Sequence, residues 1–233
     1  MSRDKYAKMQ KDLYEAEAST WSLDNKDPVV GSFDLHNKWS DYDDFLFRYQ
    51  DTTNKIALDF GCGPGRNIVK FAPLFKQIDG VDISQINLDK AKVWFEANNF
   101  NKECNLFMNN GIDISCCESE HYDVVFSTIA MQHICVYDTR FSLLSDFYRV
   151  LKPGGSLCIQ MGYGSSPHKR TVHYNDNYFE AAGTNGFCDV RIDTPDQIQN
   201  DLEKIGFKNF SFDIRPVGPG DGHANWIFFR ANK

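Results

Sequence analysis

The chain has 233 residues, and its 25 Lys and Arg against 32 Asp and Glu leave a net charge of −7. Hydrophobic residues at 42% and charged residues at 24% are typical of a globular protein, and they argue against a disordered chain, a coiled coil or a collagen-like fibre. The acidic balance argues against a general nucleic-acid binder, which carries a basic excess. At roughly 100–200 residues per domain, the length predicts one large domain or one domain with appendages.

The sequence contains none of the usual signals for a membrane or for secretion. No run reaches the ~18 apolar residues that cross a bilayer, and residues 1–17 are charged throughout, unlike a secretory signal. The 7 cysteines form no C-x-x-C pair, so neither a zinc site nor a dithiol redox site is indicated, and we expect no metal. These features predict a cytoplasmic protein without a membrane partner.

Strand and helix patterns alternate from Lys55 onward. Apolar runs at 56–60, 78–83, 104–108, 123–126 and 156–161 predict strands, and helical segments separate them. This alternation predicts an α/β fold of three layers, with helices on both faces of a mostly parallel sheet. Strands over 207–214 and 225–230, which no helix separates, predict an antiparallel pair at the end of the sheet.

A glycine-rich turn follows the first predicted strand, in the sequence Asp59-Phe60-Gly61-Cys62-Gly63-Pro64-Gly65. Glycines there allow a tight turn and a close approach of the backbone to a ligand. Asp82 ends the next strand, where a carboxylate can accept hydrogen bonds from two neighbouring ribose hydroxyls. Together they predict a nucleotide-type site, although a glycine turn and an aspartate before a helix also occur as plain structural features.

Three further segments complete a recognisable order. Asn109 to Ile112 follows the third strand, Asp123 to Ile134 covers the fourth strand and the segment after it, and Arg149 to Gly155 precedes the fifth. With the glycine turn, they resemble in order and spacing the class I S-adenosylmethionine-dependent methyltransferases of small-molecule type. The resemblance covers residues 55–162 in detail and extends loosely to residue 233.

The resemblance implies a Rossmann-like sheet of seven strands, mostly parallel with an antiparallel last strand. It implies S-adenosyl-L-methionine as cofactor and S-adenosyl-L-homocysteine as product, and residues 1–50 as a helical lid on a methyltransferase domain at 51–233. Asn110 stands where many members carry the aspartate that meets the adenine amine. The implied cofactor-binding residues are Asp59, Gly61, Cys62, Gly63, Asp82, Ile83, Asn110, Gly111, Ile112, Ser127 and Thr128.

The acceptor side is predicted from residue types alone. Residues 163–193 show no clear period and are expected to form a substrate-side insertion. His133, His168 and His173 are candidate bases because histidine titrates near neutral pH, and each has an ordinary structural role as its alternative. His223, which opens the last strand, faces either the same pocket or solvent. The candidate substrate contacts are Trp39, Tyr42, Lys169, Arg170 and Tyr174.

Three functions fit these patterns. The first is methyl transfer to oxygen or nitrogen of a small molecule, which would be anionic if Lys169 and Arg170 bind it and are not simply a solvated pair. The second is a nicotinamide-dependent oxidoreductase. The G-x-G-x-x-G motif of such enzymes argues against it, because Arg66 stands in the place of the third glycine. The third is a non-catalytic module that kept a cofactor site. The sequence lacks the Asn-Pro-Pro-Tyr and Pro-Cys motifs of DNA-base methylases, so no nucleic-acid partner is expected, and it does not fix the oligomeric state.

Overall fold

The computed structural model describes residues 1–20, 22–23, 42–164, 170–183, 188–217 and 223–233. Helices α1 to α6 span Arg3–Thr20, Tyr42–Leu46, Arg66–Phe71, Gln85–Ala97, Tyr137–Val150 and Pro195–Ile205. Strands β1 to β9 span Ile56–Phe60, Gln77–Asp82, Leu106–Met108, Tyr122–Ser127, Leu151–Tyr163, Arg170–His173, Cys188–Ile192, Lys208–Pro216 and Asn225–Asn232. Short 3-10 turns lie at Ala72–Leu74, Met131–His133 and Phe179–Gly183.

The sheet has the predicted mixed character. Strands β3, β2, β1, β4 and β5 lie side by side and all run parallel. The last strand, β9, is antiparallel to β5 on one side and to β8 on the other. The expected mostly parallel sheet with an antiparallel last strand is therefore confirmed, but the described residues form nine strands and not the expected seven, because the insertion adds β6 and β7. Among the described residues, no helix has both the length and the apolar character needed to cross a membrane.

Helices on both faces bury the central strands. In β1, Leu58 and Phe60 pack into the core on one side of the sheet, while Ala57 packs into the core on the other. A strand covered on both faces has an almost continuous apolar sequence, which is why Ile56–Phe60 lacks polar alternation. The ends of the helices follow the sequence signals: the Ser84 side chain accepts a hydrogen bond from the Asn87 amide before α4, and Gly206 ends α6 at φ 118°.

The described part of the insertion at 163–193 contains two strands that its sequence did not indicate. β7 pairs in parallel with β5 at Gly162 and Tyr163, and β6 pairs in parallel with β7. Since β9 already occupies one edge of β5 along Ser156 to Tyr163, β7 must lie on the other edge, beyond the end of β4. The insertion thus extends the sheet past β4 and lies beside the turn Met131–His133.

Helix α1 crosses the edge of the sheet at which the parallel strands end. The Tyr6 hydroxyl accepts a hydrogen bond from the Cys135 amide at 2.8 Å and donates to the His133 carbonyl at 3.4 Å. Ala7 packs beside Gly111, after β3, and Ala18 packs against Trp94 of α4. One helix therefore contacts the segments that follow β3 and β4.

Candidate cofactor and acceptor site

The site lies where the chain leaves neighbouring parallel strands in opposite directions. The connection after β1 leads to β2 on one side, whereas β4 lies on the other side of β1. In open α/β sheets, ligands bind in the crevice that forms at such a point, outside the carboxyl ends of the strands. The segments that follow β1, β2, β3 and β4 all meet at this crevice.

The glycine turn after β1 adopts a backbone that favours glycine. Gly61, Gly63 and Gly65 have φ values of 70°, 51° and 82°. A Cβ on Gly61 would overlap the side chain of Ala130, whereas a Cβ on Gly63 would meet no atom within 4 Å. The turn is therefore packed against the segment after β4 at Gly61 and faces open space at Gly63. Space of this kind beside exposed backbone is what a ligand cradle requires.

Cys62 fills the inside of this turn. Its side chain is buried, and its sulfur lies beside Gly80 of β2. Burial raises the pKa of the Cys62 thiol well above its ordinary value, and the carboxylates of Asp82 and Asp59 raise it further. A buried, protonated thiol is a packing group, not a nucleophile.

Asp82 lies at the end of β2 and is almost completely buried. Its Oδ2 accepts a hydrogen bond from the Gly63 amide at 2.9 Å, and its Oδ1 accepts one from the Ser84 amide at 2.8 Å. Burial raises the pKa of this carboxyl, and the hydrogen bonds from Ser84 and Gly63 oppose that rise. The Asn87 side chain also donates to Oδ1 at 3.3 Å. Because a carboxylate has about four acceptor positions, capacity for a ligand hydroxyl remains.

Asp59, at the end of β1, provides the clearest test of whether the residues fit the cofactor. It is 1% exposed, and its Oδ2 is buried without a hydrogen-bond partner among the described residues. Burial raises the pKa of Asp59 well above its ordinary value, which the nearby Arg66 only partly offsets. A buried carboxylate oxygen of this kind fits a cationic group, such as the ammonium of the methionine part of the cofactor.

The adenine side differs in detail from the expectation. Asn110 is exposed, and its Oδ1 accepts hydrogen bonds from the amides of Ile112 and Asp113. Its side chain therefore serves the local turn, and its contact with the adenine amine stays a prediction. The preceding Asn109 is buried, and its Oδ1 has no hydrogen-bond partner in the described part of the chain. Ile83 lies against Gly111, as the predicted adenine contact requires.

The segment after β4 forms the floor of the crevice. The Ser127 hydroxyl donates to the Phe60 carbonyl at 2.9 Å, and the Thr128 hydroxyl accepts from the side-chain Nδ2 of Asn67 at 2.6 Å. Ile129 follows with φ 66°, which is rare for a β-branched residue. The Gln160 side chain of β5 holds it by accepting a hydrogen bond from its amide at 2.6 Å. Backbone strain of this kind commonly marks functional sites.

His133 follows at the end of this floor, beside the insertion. Its Nδ1 lies 2.6 Å from Oδ1 of Asp189 on β7. The other oxygen of Asp189 lies 3.5 Å from Nε2 of His223, whose side chain is fully buried. The site thus includes Asp189, which the sequence reasoning missed. The alternation of Val190 and Ile192 with polar neighbours was the available signal for β7, but it did not indicate that Asp189 is buried.

The other predicted acceptor-side residues are not all assembled with His133. His173 is exposed, and its Nδ1 pairs with Oδ2 of Asp193 at 2.8 Å. Tyr174 lies in the core, where the buried Arg140 guanidinium stacks on its ring, so the structure places it in the packing and not at an open surface. Several candidates lie outside the described residues or side chains: Trp39, Tyr42, His168, Lys169 and Arg170.

Comparison with known proteins agrees with this geometry. Residues 57–155 match a family model described as a methyltransferase domain. Residues 57–155 therefore form a methyltransferase domain, and they are similar to S-adenosylmethionine-dependent methyltransferases, whose cofactor is S-adenosyl-L-methionine.

Relatives of this methyltransferase domain differ in what their names describe. An O-methyltransferase of Aspergillus nomiae, rstn1, is 28% identical over 113 residues, which are 48% of this chain and 48% of the relative. A phosphoethanolamine N-methyltransferase 2 of Haemonchus contortus has a TM-score of 0.62 at 22% identity over 84% of this chain and 53% of that one. The [4+2]-cyclase SpnF has a TM-score of 0.57 at 14% identity over 78% of this chain and 76% of the cyclase. The chain spans 40–48% of the length of the curated relatives it matches.

Proposed function

We propose that the protein transfers a methyl group from S-adenosyl-L-methionine to an oxygen or nitrogen of a small-molecule acceptor. The observation that carries this proposal is the arrangement around one crevice: Asp59, Gly63 and Asp82 lie on its cofactor side, and His133 lies after β4. A cofactor pocket alone would fit several chemistries. A histidine held by a buried carboxylate beside that pocket adds a group that can accept a proton.

The cofactor-side residues have separate tasks in this proposal. Asp82 binds the ribose hydroxyls, Asp59 faces the methionine ammonium, and the open space beside Gly63 admits the ligand next to the backbone. Ile83 and Asn109 take the adenine side. When bound, S-adenosyl-L-methionine supplies a methyl group on a positively charged sulfur and leaves as a neutral thioether.

The remaining catalytic work is positioning and the removal of a proton. Holding reactants in the correct geometry can account for much of the rate enhancement of such a displacement. We place α1 over the crevice as a lid, because it contacts the segments after β3 and β4. The lid would exclude water and close the acceptor site, in agreement with residues 1–50 acting as an appendage to the main domain.

The chemical class of the acceptor is a finer part of this proposal. The relative from Aspergillus nomiae is named for an oxygen acceptor and the one from Haemonchus contortus for a nitrogen acceptor. The candidates for binding an anionic acceptor, Lys169 and Arg170, lie outside the described side chains.

Methyl transfer is tested by incubating the protein with S-adenosyl-L-methionine carrying a labelled methyl group and with pools of hydroxyl and amine compounds. The proposal predicts label in an acceptor and S-adenosyl-L-homocysteine in equal amount, both lost in Asp82→Ala. If no pool becomes labelled although the protein binds S-adenosyl-L-homocysteine, the protein carries out another chemistry on this fold. The cyclase among the structural neighbours shows that such a change of chemistry occurs.

A further inference from the structure

Both oxygens of the Asp189 carboxylate face an imidazole. Oδ1 lies 2.6 Å from Nδ1 of His133, and Oδ2 lies 3.5 Å from Nε2 of His223. Asp189 is 1% exposed, whereas the His133 side chain keeps 19% of its surface exposed. A buried carboxylate thus connects one histidine at the edge of the crevice with another in the interior.

The position of Asp189 results from the insertion. β7 occupies the edge of β5 beyond the end of β4, which brings Asp189 beside the turn that carries His133. Helix α1 contributes a third group, Tyr14, to the surroundings of Asp189. Burial raises the pKa of Tyr14 well above its ordinary value, and Glu17, Tyr6 and Asp189 raise it further. Tyr14 is therefore a neutral phenol at physiological pH and adds no charge to the cluster.

A glycine makes room for the second histidine. Gly162 lies inside β5, and a Cβ at this position would overlap the ring atoms of His223. A glycine within a strand often marks such a close approach, since it otherwise weakens the strand. The imidazole of His223 thus packs directly against the backbone of β5, with its Nε2 towards Asp189. This packing restricts the orientations that the Asp189 carboxylate can adopt.

We propose that Asp189 is a positioning residue that keeps Nε2 of His133 without a proton and available to the methyl acceptor. In this proposal Asp189 is ionised, and because an ionised carboxylate can only accept hydrogen bonds, Nδ1 of His133 is the donor in the 2.6 Å contact. A neutral imidazole carries one N–H, which leaves Nε2 as the acceptor nitrogen. No hydrogen bond to Nε2 of His133 is present among the described residues.

The proton balance in this proposal is simple. It rests on the proposed methyl transfer, in which the acceptor carries a proton on its hydroxyl or ammonium group. Nε2 of His133 takes that proton and becomes N–H, and the resulting imidazolium is stabilised by Asp189. Because the His133 side chain is partly exposed, the ring then releases the proton to water. Buried aspartates orient and stabilise the histidine in serine hydrolases by the same physical means.

The test is nitrogen NMR of the full-length protein with labelled histidine, with His133 assigned from the His133→Gln variant. At a pH well above the measured titration midpoint of His133, the proposal predicts one tautomer in the wild type, with the proton on Nδ1. In Asp189→Asn, the amide can donate to Nδ1, and we expect this single tautomer to be lost. A wild-type ring with its proton on Nε2 would overturn the proposal even if the variant does not fold. So would an Asp189→Asn protein that keeps the Nδ1–H tautomer.

The chain offers a matched control in a second His–Asp pair. His173 and Asp193 are joined at 2.8 Å, but both side chains are largely or partly exposed. Asp193→Asn should change the His173 signals and leave the His133 tautomer intact, so loss of the His133 tautomer in this variant would contradict a local role for Asp189. Binding of S-adenosyl-L-homocysteine separates the two proposals. Binding combined with the wrong wild-type tautomer refutes the role of Asp189 alone, and absence of binding refutes the proposed function.

Discussion

Asp82 and Gly63 are joined by a hydrogen bond of 2.9 Å between the carboxylate Oδ2 and the backbone amide. This bond connects the end of β2 to the glycine turn after β1, so two neighbouring strand ends are fixed to each other. Asp82 is held in addition by the Ser84 amide at the start of α4. The residue that binds ribose in our proposal is therefore oriented by backbone groups before any ligand arrives.

The open space beside Gly63 predicts separate effects on stability and binding. Gly63→Ala should lower the melting temperature by roughly 2–8 °C, since a left-handed alanine costs about 1–2 kcal/mol and about 1 kcal/mol corresponds to about 2–4 °C at this size. Its methyl group would also enter the ligand space and weaken S-adenosyl-L-homocysteine binding. Gly154→Ala is a matched control, because Gly154 also has a positive φ of 79° and open space, but lies at the start of β5.

Calorimetric titration and thermal melts decide between the possible outcomes. Both alanine variants should lose similar stability, and only Gly63→Ala should lose affinity. Gly61→Ala should be less stable than either, because its Cβ overlaps Ala130. Equal ligand affinity for Gly63→Ala and Gly154→Ala would contradict the placement of the cofactor beside Gly63.

The buried carboxylates predict a stability that declines with rising pH. Burial raises the pKa of Asp59 and of Asp82 in the folded protein. A raised folded-state pKa means that protonation favours folding, so this stabilisation is complete below about pH 4 and is lost as the pH rises through the raised values. Asp59→Asn removes one of the two groups and should flatten the fall in melting temperature between pH 4 and pH 8.

Surface carboxylates provide the comparison for this pH dependence. Asp12, on α1, is largely exposed, and Asp12→Asn should keep the wild-type slope. Thermal melts of both variants across the pH range measure the difference. An Asp59→Asn slope as steep as the wild type would show that Asp59 does not titrate in this range.

The contact between Tyr6 and Cys135 predicts how α1 is held. Tyr6→Phe leaves the buried Cys135 amide without its acceptor, which costs about 1–3 kcal/mol. Tyr49→Phe is the control, since Tyr49 is 90% exposed. Hydrogen exchange should accelerate at Cys135 and in α1 for the first variant only. Saturation with S-adenosyl-L-homocysteine should slow exchange in α1, and unchanged exchange would contradict the lid.

The cysteines predict a selective pattern of thiol labelling. Burial raises the pKa of Cys104, Cys117 and Cys158 to about 12, and raises that of Cys62 well above its ordinary value. Cys116 is exposed. Of the cysteines with described side chains, Cys116 should therefore react first with a maleimide at pH 8, and Cys116→Ser should remove this reaction. Mass spectrometry that finds early labelling at Cys62 would contradict its role as a packing residue.

The central sheet could be predicted because each of its signals is local. The apolar run at Ile56–Phe60, the glycine turn and the Ser84 cap each specify a short piece of backbone, and their order specifies the parallel sheet. The positions of Asp59 and Asp82 followed directly, since Asp59 is the next-to-last residue of β1 and Asp82 is the last residue of β2, and these strands lie side by side. The location of a residue at a strand end in a parallel sheet can be predicted from the sequence of that strand and its neighbours in the chain.

The acceptor side could not be predicted to the same degree, because it depends on contacts between distant segments. Asp189 is buried only because β7 pairs beyond the end of β4, and this register is not visible in the sequence. Asn110 was chosen from its place in a motif, but its side chain hydrogen bonds to its own turn, which left the buried Asn109 as the better candidate. The first difference arises from long-range strand pairing, and the second arises from a local hydrogen bond that competes with a ligand contact.

The most direct test of the central claim is calorimetric titration of the wild type and Asp82→Ala with S-adenosyl-L-homocysteine and, separately, with NADH. The account predicts micromolar binding of S-adenosyl-L-homocysteine to the wild type, a loss of about 10-fold or more in the variant because hydrogen bonds to a charged group are removed, and no binding of NADH. Binding of NADH with no binding of S-adenosyl-L-homocysteine would contradict the account and would make the protein a nicotinamide-dependent oxidoreductase.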